Sequence, residues 1–129
     1  MSNPKKIKVL FAPSNVASMP NITMQALNKL EEIDARGVSY GSHKYWTFGP
    51  GWKVNEIPNF KQNPIGRIWA YIKNKYEFMK GVFWADILML HWDIDSFSAL
   101  YIRLLRKKTY IEWIGSDIRV PEYVFAHNP

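Results

Sequence analysis

The sequence predicts an α/β domain built on an open, mostly parallel sheet of four to five strands with helices on both faces. Two short, continuous apolar runs, Ile7–Ala12 and residues 85–92, are typical of strands buried on both faces. Segments with the apolar period of a helix separate the predicted strands. Strands that alternate with helices along a chain form parallel sheets with right-handed crossovers.

The first strand, Ile7–Ala12, is stopped by Pro13. Helical periodicity follows over residues 22–33, with Pro20 in the first turn and Gly37 after the end of the predicted helix. The apolar positions of this helix are Ile22, Ala26, Leu27, Leu30 and Ile33.

A second strand is predicted over residues 38–46, although Gly41 and Ser42 interrupt its pattern. Residues 47–63 are rich in Gly, Pro and Asn, so we expect a long loop that holds at most one short strand at residues 53–57.

The second helix has the clearest signals, because Asn63 is an N-cap residue and Pro64 fits a first turn. It is predicted to end at Gly81, with one apolar face formed by Ile65, Ile68, Trp69, Ile72, Tyr76 and Met79. A strand at residues 85–92 follows, and Asp93 and Asp95 are candidate caps of a third helix that carries Phe97, Leu100, Tyr101, Leu104 and Leu105.

The last predicted strand, residues 109–114, is too apolar for an unprotected sheet edge. We therefore expect the chain's tail, a partner or further sheet-forming sequence to cover it.

Composition narrows the function classes. The chain has 129 residues, no Cys and a net charge of +6. Without Cys there are no thiolate metal sites, catalytic thiols or disulfides. No segment reads as a signal peptide or membrane span, so a cytoplasmic protein is predicted. The positive charge favours an anionic partner: nucleic acid, a phosphorylated small molecule or an acidic membrane surface.

In an open parallel sheet, ligands bind at the carboxyl ends of the strands. That rule selects three polar loops, at residues 14–20, 91–93 and 115–119. The first loop has no glycine and no GxxxxGK[ST] motif exists, which excludes the dinucleotide fingerprint and the P-loop. No cofactor is expected, and the three scattered histidines make no metal site. The candidate binding residues are Ser14, Asn15, Asp93, Ser116, Asp117 and Arg119.

His91 is the candidate catalytic residue, because it ends an apolar strand and so stands at this edge of the sheet. An imidazole there can orient or deprotonate a hydroxyl while a carboxylate such as Asp93 holds its tautomer. A hydrogen-bonded structural histidine is the other interpretation. The first loop also has two interpretations: Ser14, Asn15 and Ser18 either bind an anion or sugar, or they only cap and turn the chain. In the third loop, residues 115–119 (GSDIR) either bind a ligand or form an internal ion pair.

A basic, aromatic surface is predicted between Trp52 and Phe83, because this segment contains six cationic and only two anionic residues. Its candidate membrane contacts are Trp52, Lys73, Lys75 and Lys80. The alternative is that the main apolar stripe of the helix packs on the sheet and the lysines are only solvated; Tyr71, Phe78 and Trp84 lie off that stripe and favour the membrane interpretation.

The elements and motifs of the chain follow one another in a definite order: a buried first strand, a loop that leads into a helix with a proline in its first turn, the segment DILMLHWD and the segment YIEWIGSDIR. In this order the chain resembles the amino-terminal domain of GT-B-fold glycosyltransferases. It is most similar to bacterial enzymes of the retaining, group 1 type, which have D-x-x-x-x-H at the end of one strand and G-[ST]-D-[IV]-R after a later one. The resemblance covers nearly the whole chain in element order, although its specific motifs amount to about a dozen residues.

The resemblance implies a Rossmann-like acceptor-side domain of an enzyme that moves a sugar from a nucleotide sugar to a hydroxyl of a glycan or lipid-linked acceptor. Asn15 would face the cleft, His91 would match the cleft histidine, and Ser116, Asp117 and Arg119 would line the acceptor side. We expect residues 1–129 to form a single domain, part of a two-domain enzyme, inactive without a carboxyl-terminal domain or partner chain that binds the donor.

The rival hypothesis is a non-enzymatic α/β module that binds an anionic membrane or a partner protein. If it binds the membrane, the protein would lie at the inner face of that membrane. Nucleic acid is not favoured, because the lysines are dispersed and no recognition motif is present.

Overall fold

In a computed structural model, the chain folds into a five-stranded, all-parallel open sheet with helices on both faces. The structure describes residues 4–13, 18–41, 46–54, 63–91 and 95–112. The elements are β1 (Ile7–Ala12), α1 (Met19–Leu27), β2 (Ile33–Ser39), β3 (Trp52–Val54), α2 (Pro64–Trp84), β4 (Ile87–His91), α3 (Ser96–Leu104) and β5 (Lys108–Glu112). The strand order β3-β2-β1-β4-β5 confirms the predicted fold class and is that of a Rossmann-like sheet.

The core lies on both faces of the sheet, because successive residues of each strand point to opposite sides. On one face, residues of β1, β2 and β4 pack under α2 and α3, in a cluster of Leu10, Ala12, Val38, Phe78, Val82, Ala85, Leu88, Leu90 and Ile102. On the other face, Met24 of α1 packs against Val9, Phe11 and Ala35 of the sheet. The continuous apolar runs of β1 and β4 follow from this burial on both sides.

The prediction that the first helix reaches Ile33 is wrong, since α1 ends at Leu27 and Ile33 begins β2. Asn28 accounts for the early end. Its side-chain Oδ1 accepts the Ala35 N–H at 2.7 Å and its Nδ2 donates to the Ala35 carbonyl at 2.8 Å. These two bonds hold the end of α1 against β2.

The second strand was predicted too late in the sequence. Gly37, expected after the end of a helix, lies inside β2, which ends at Ser39. The Trp52 ring lies over Gly37 so closely that a Cβ there would be 2.3 Å from Cε3 of the indole. The predicted short strand at residues 53–57 corresponds to β3, Trp52–Val54, and residues 42–45 and 55–57 lie outside the described ranges.

The start of α2 is confirmed, because the Asn63 side chain accepts the Gly66 N–H at 2.9 Å and Pro64 is the first helical residue. The predicted end at Gly81 is wrong, since the helix continues to Trp84. Gly81 instead allows the helix to approach β1, where its missing Cβ would be 3.0 Å from Leu10 Cδ2.

The face by which α2 packs on the sheet is the reverse of the one expected under the solvated-lysine interpretation. Its buried residues are Asn74, Phe78 and Val82, while the main apolar stripe is exposed. The predicted apolar residues of the third helix are divided: Tyr101 and Leu105 pack partly buried against the core, whereas Phe97, Leu100 and Leu104 are exposed. The residues that α3 buries are Ser98 and Ile102.

Strand β5 forms one edge of the sheet, and its Tyr110 and Ile111 are more than half exposed. Residues 113 and 114, which the sequence analysis assigned to this strand, lie outside the described part of the chain. In the described ranges, no helix has the combination of length and apolarity needed to cross a bilayer.

Candidate ligand site at the carboxyl edge of the sheet

The strand order places the topological switch point between β1 and β4. The chain leaves β1 toward β2 on one side and later returns through α2 to β4 on the other side. Connections that diverge in this way open a crevice at the carboxyl ends of the two strands, which is where ligands bind in open α/β sheets. Ala12 ends β1 there, and His91 ends β4.

His91 is fully buried at this edge, and its contacts include a ring stack and a hydrogen bond. Its ring stacks on Phe11 with the centroids 5.8 Å apart and the planes inclined by 20°. Its Nε2 lies 2.7 Å from Oε2 of Glu112, the residue directly opposite on β5. The Glu112 carboxylate is partly exposed, so the pair joins a buried ring to the surface.

The His91–Glu112 pair has a definite chemical character. The ring can donate its Nε2–H to the Glu112 carboxylate, and that hydrogen bond then sets the tautomer of the imidazole. A ring fixed in this tautomer can orient a hydroxyl group or take its proton. The same bond also ties β4 to β5, as in the structural interpretation of His91.

Sequence reasoning missed Glu112, because 21 residues separate it from His91 and only the strand register brings them together. A signal was present: Glu112 is the one charged residue in the otherwise apolar end of TYIEWI. Asp93, the carboxylate that the sequence analysis placed beside His91, lies outside the described residues.

The other predicted binding residues, Ser14, Asn15, Ser116, Asp117 and Arg119, also lie outside the described ranges and stay predictions. Polar residues at the start of α1 can be described. The Ser18 hydroxyl accepts the Thr47 N–H at 2.6 Å. Oδ1 of Asn21 accepts the Gly49 N–H at 2.9 Å and the indole N–H of Trp52 at 3.0 Å. These side chains hold the segment before β3 against α1.

A second polar group lies at the same edge on the α2 and α3 face, and we call Tyr40, Lys75, Asp95 and Ser98 the edge polar cluster. Lys75 Nζ donates to Asp95 Oδ1 at 2.6 Å and to Ser98 Oγ at 2.9 Å. The Ser98 hydroxyl also donates to Asp95. Ser98 is buried, so the cluster extends from the surface into the domain.

The electrostatics of the edge polar cluster favour an ionised Asp95 and a protonated Tyr40. Partial burial acts to raise the pKa of Asp95, but hydrogen bonds from Lys75 and Ser98 and the Lys75 charge outweigh it and lower the pKa. Burial raises the pKa of Tyr40, and the charge of Asp95 raises it further. The Tyr40 hydroxyl therefore stays protonated at neutral pH.

Asn74 precedes Lys75 on α2 and faces inward, where it is 2% exposed. Neither its Nδ2 nor its Oδ1 has a hydrogen-bond partner in the described part of the chain. A buried amide without partners costs free energy, and such groups in native proteins call for an explanation.

The four candidate membrane contacts are not on one surface. Trp52 packs with the α1 side of the sheet, opposite α2. Lys75 is bound within the edge polar cluster. Lys73 and Lys80 are exposed on α2, and Nζ of Lys80 lies 6.0 Å from the Tyr76 ring centroid.

Comparison of the chain with protein-family models, with curated proteins and with solved structures found no match. The fold therefore defines the class, a Rossmann-like α/β domain, and the function rests on the site. Among the residues that the structure describes, no group of three or more metal-binding side chains comes together.

Proposed function

We propose that this chain is the acceptor-side domain of a glycosyltransferase, which transfers a sugar from a nucleotide sugar to a hydroxyl of a glycan or lipid-linked acceptor. The observation that carries the proposal is the His91–Glu112 pair at the carboxyl end of β4, beside the switch point. A cytoplasmic location at the inner face of a membrane is part of the proposal.

Sugar transfer requires a positioned acceptor hydroxyl and stabilisation of the leaving phosphate. His91, itself oriented by Glu112, would orient the acceptor hydroxyl. A second domain or partner chain would supply the groups that bind the nucleotide phosphates. The 129-residue chain would then bind acceptor without catalysing transfer.

A binding titration by ligand-observed NMR tests this proposal, with candidate glycans and nucleotide sugars as ligands. We expect glycan binding without tight nucleotide-sugar binding. Glu112→Gln should weaken glycan binding about tenfold, since hydrogen bonds to charged groups contribute about 1.5–3 kcal/mol. Glu31→Gln, at an exposed position before β2, is the matched control. Equal binding by parent and Glu112→Gln, or no glycan binding at all, would refute the role of the pair.

A non-enzymatic interaction module is the second candidate function, and the exposed apolar residues of α2 favour it. Such a module would recognise an anionic membrane or partner protein through its surface. His91→Ala would then leave the interaction unchanged while no glycan or nucleotide sugar bound. Under the glycosyltransferase proposal, His91→Ala weakens glycan binding.

A further inference from the structure

Helix α2 extends beyond the sheet that it covers. It has 21 residues, so its length is about 30 Å at a rise of 1.5 Å per residue. Its buried residues, Asn74, Phe78 and Val82, all belong to the second half, whereas none of residues 64–73 is buried. Because α2 ends just before β4 begins, its unburied first half lies at the carboxyl edge, the same edge as His91.

The side of α2 that faces away from the sheet carries a continuous apolar stripe, here called the α2 stripe. Its residues are from 54% to 70% exposed and recur at helical spacing: Ile65, Ile68, Trp69, Ile72, Tyr76 and Phe83. The stripe is about 27 Å long at 1.5 Å per residue. Trp69, Ile72 and Tyr76 also line a shallow surface groove together with Gly66, Ala70 and Lys73.

The exposed charges beside the α2 stripe on this helix are positive. Lys73 and Lys80 are exposed residues of α2, and the former lines the groove while the latter lies near the Tyr76 ring. The single carboxylate of α2, Glu77, is mostly buried and accepts a hydrogen bond from Lys53 of β3 at 3.1 Å. An anionic surface therefore meets lysines and aromatic rings along this helix and no unpaired carboxylate.

We propose that the α2 stripe docks on an anionic lipid membrane, with the helix lying in the interface plane. Trp and Tyr favour the interfacial region of bilayers, and an apolar face flanked by lysines is the pattern of interfacial helices. The cores of protein interfaces are instead depleted of Lys. A second copy of the chain would bring its own net charge of +6 against this face. The proposal specifies the surface and the ligand of the second candidate function, on which it rests, and it does not depend on sugar transfer.

Vesicle flotation of the full chain tests the docking. The probes are vesicles of phosphatidylcholine alone and vesicles of phosphatidylcholine and phosphatidylglycerol in equal amounts. We expect binding to the anionic vesicles that falls as salt is raised, because lysine attraction is screened. Ile72→Ser should weaken binding about tenfold or more, since one buried isoleucine contributes about 1.5–3 kcal/mol. Lys73→Gln should weaken it about fivefold, at about 1 kcal/mol per lysine.

Matched controls come from the opposite face of the sheet. Ile22→Ser removes an exposed isoleucine of α1, and Lys29→Gln removes an exposed lysine just after that helix. Both should bind vesicles like the parent. Since all four residues are exposed, far-UV circular dichroism should show the parent's helix content in every variant.

Three results would overturn the proposal. The first is no binding to anionic vesicles by the parent. The second is equal loss of binding in the Ile22→Ser control. The third is a parent that self-associates in light scattering, becomes monomeric with Ile72→Ser and binds no vesicles, which would assign the α2 stripe to a second copy of the chain.

Discussion

Replacement of Asn74 by leucine should stabilise the domain. Asn74 lies on the buried side of α2, and its amide nitrogen and oxygen have no partner in the described residues. Leucine has nearly the same shape and removes both buried polar atoms. It also has the higher helix propensity, by about 0.4 kcal/mol.

The magnitude follows from the desolvation of the amide. A buried donor or acceptor without a partner costs about 1–3 kcal/mol. Part of this gain is lost to the tighter fit of a branched apolar side chain, so we expect a net stabilisation of about 1–2 kcal/mol. For a domain of this size, that corresponds to a Tm increase of about 3–8 °C.

Urea unfolding followed by circular dichroism measures the effect, with an unchanged m-value as the check that the unfolding transition stays comparable. Asn63→Ala is the control on the same helix, because the Asn63 side chain caps α2 and its loss should cost about 1 kcal/mol. Opposite signs for the two asparagines are expected. A loss of stability in Asn74→Leu would refute the reasoning, since it would mean that the amide makes a favourable polar interaction at this edge.

Three further predictions concern contacts that hold the elements together, and urea unfolding measures each. The folded pKa of Asp95 lies below its ordinary value of 3.8, so the ionised carboxylate contributes stability at higher pH that is lost as the pH falls through the folded pKa. Asp95→Asn should therefore destabilise the domain at pH 7 and have a smaller effect at lower pH. A pH-independent difference would contradict this. Gly37→Ala should cost about 1–3 kcal/mol by forcing the Trp52 ring to move, and unchanged stability would show that the ring yields freely. Asn28→Ala should cost about 1–3 kcal/mol, because it removes both hydrogen bonds to the Ala35 backbone; a neutral result would mean that the Ala35 backbone groups find other partners.

Local sequence signals were sufficient where an element is specified by its own residues. The bounds of β1 agree with the prediction, because a short apolar run between lysines and a proline has few alternatives. The cap and first turn of α2 were predicted correctly, because Asn63 and Pro64 act within one turn of the helix. The same local logic failed at α1, where the end of the helix depends on Asn28 reaching a strand seven residues away.

In the candidate site, too, local sequence signals predicted some residues, whereas others depend on the tertiary structure. That His91 stands at the end of a strand was predictable from the apolar run before it, although β4, Ile87–His91, begins later than the predicted strand at residues 85–92. Its partner Glu112 was not, because their approach requires β5 to pair with β4 in one particular register. The edge polar cluster was missed for a similar reason, since Lys75 lies on α2 and Asp95 directly precedes α3, and only the tertiary fold brings the two together.

The sequence by itself determined the alternation of strands and helices, and with it the α/β class, because apolar periodicity and turn residues act over short distances. Only the tertiary structure decided which side of α2 is buried. An apolar stripe shows that a helix has an apolar side, but it does not identify what covers that side. Here Gly81 allows the helix to approach Leu10 on β1, which buries Phe78 and Val82 and leaves the larger stripe outside. Close packing against the sheet, rather than total hydrophobicity, selected the buried face.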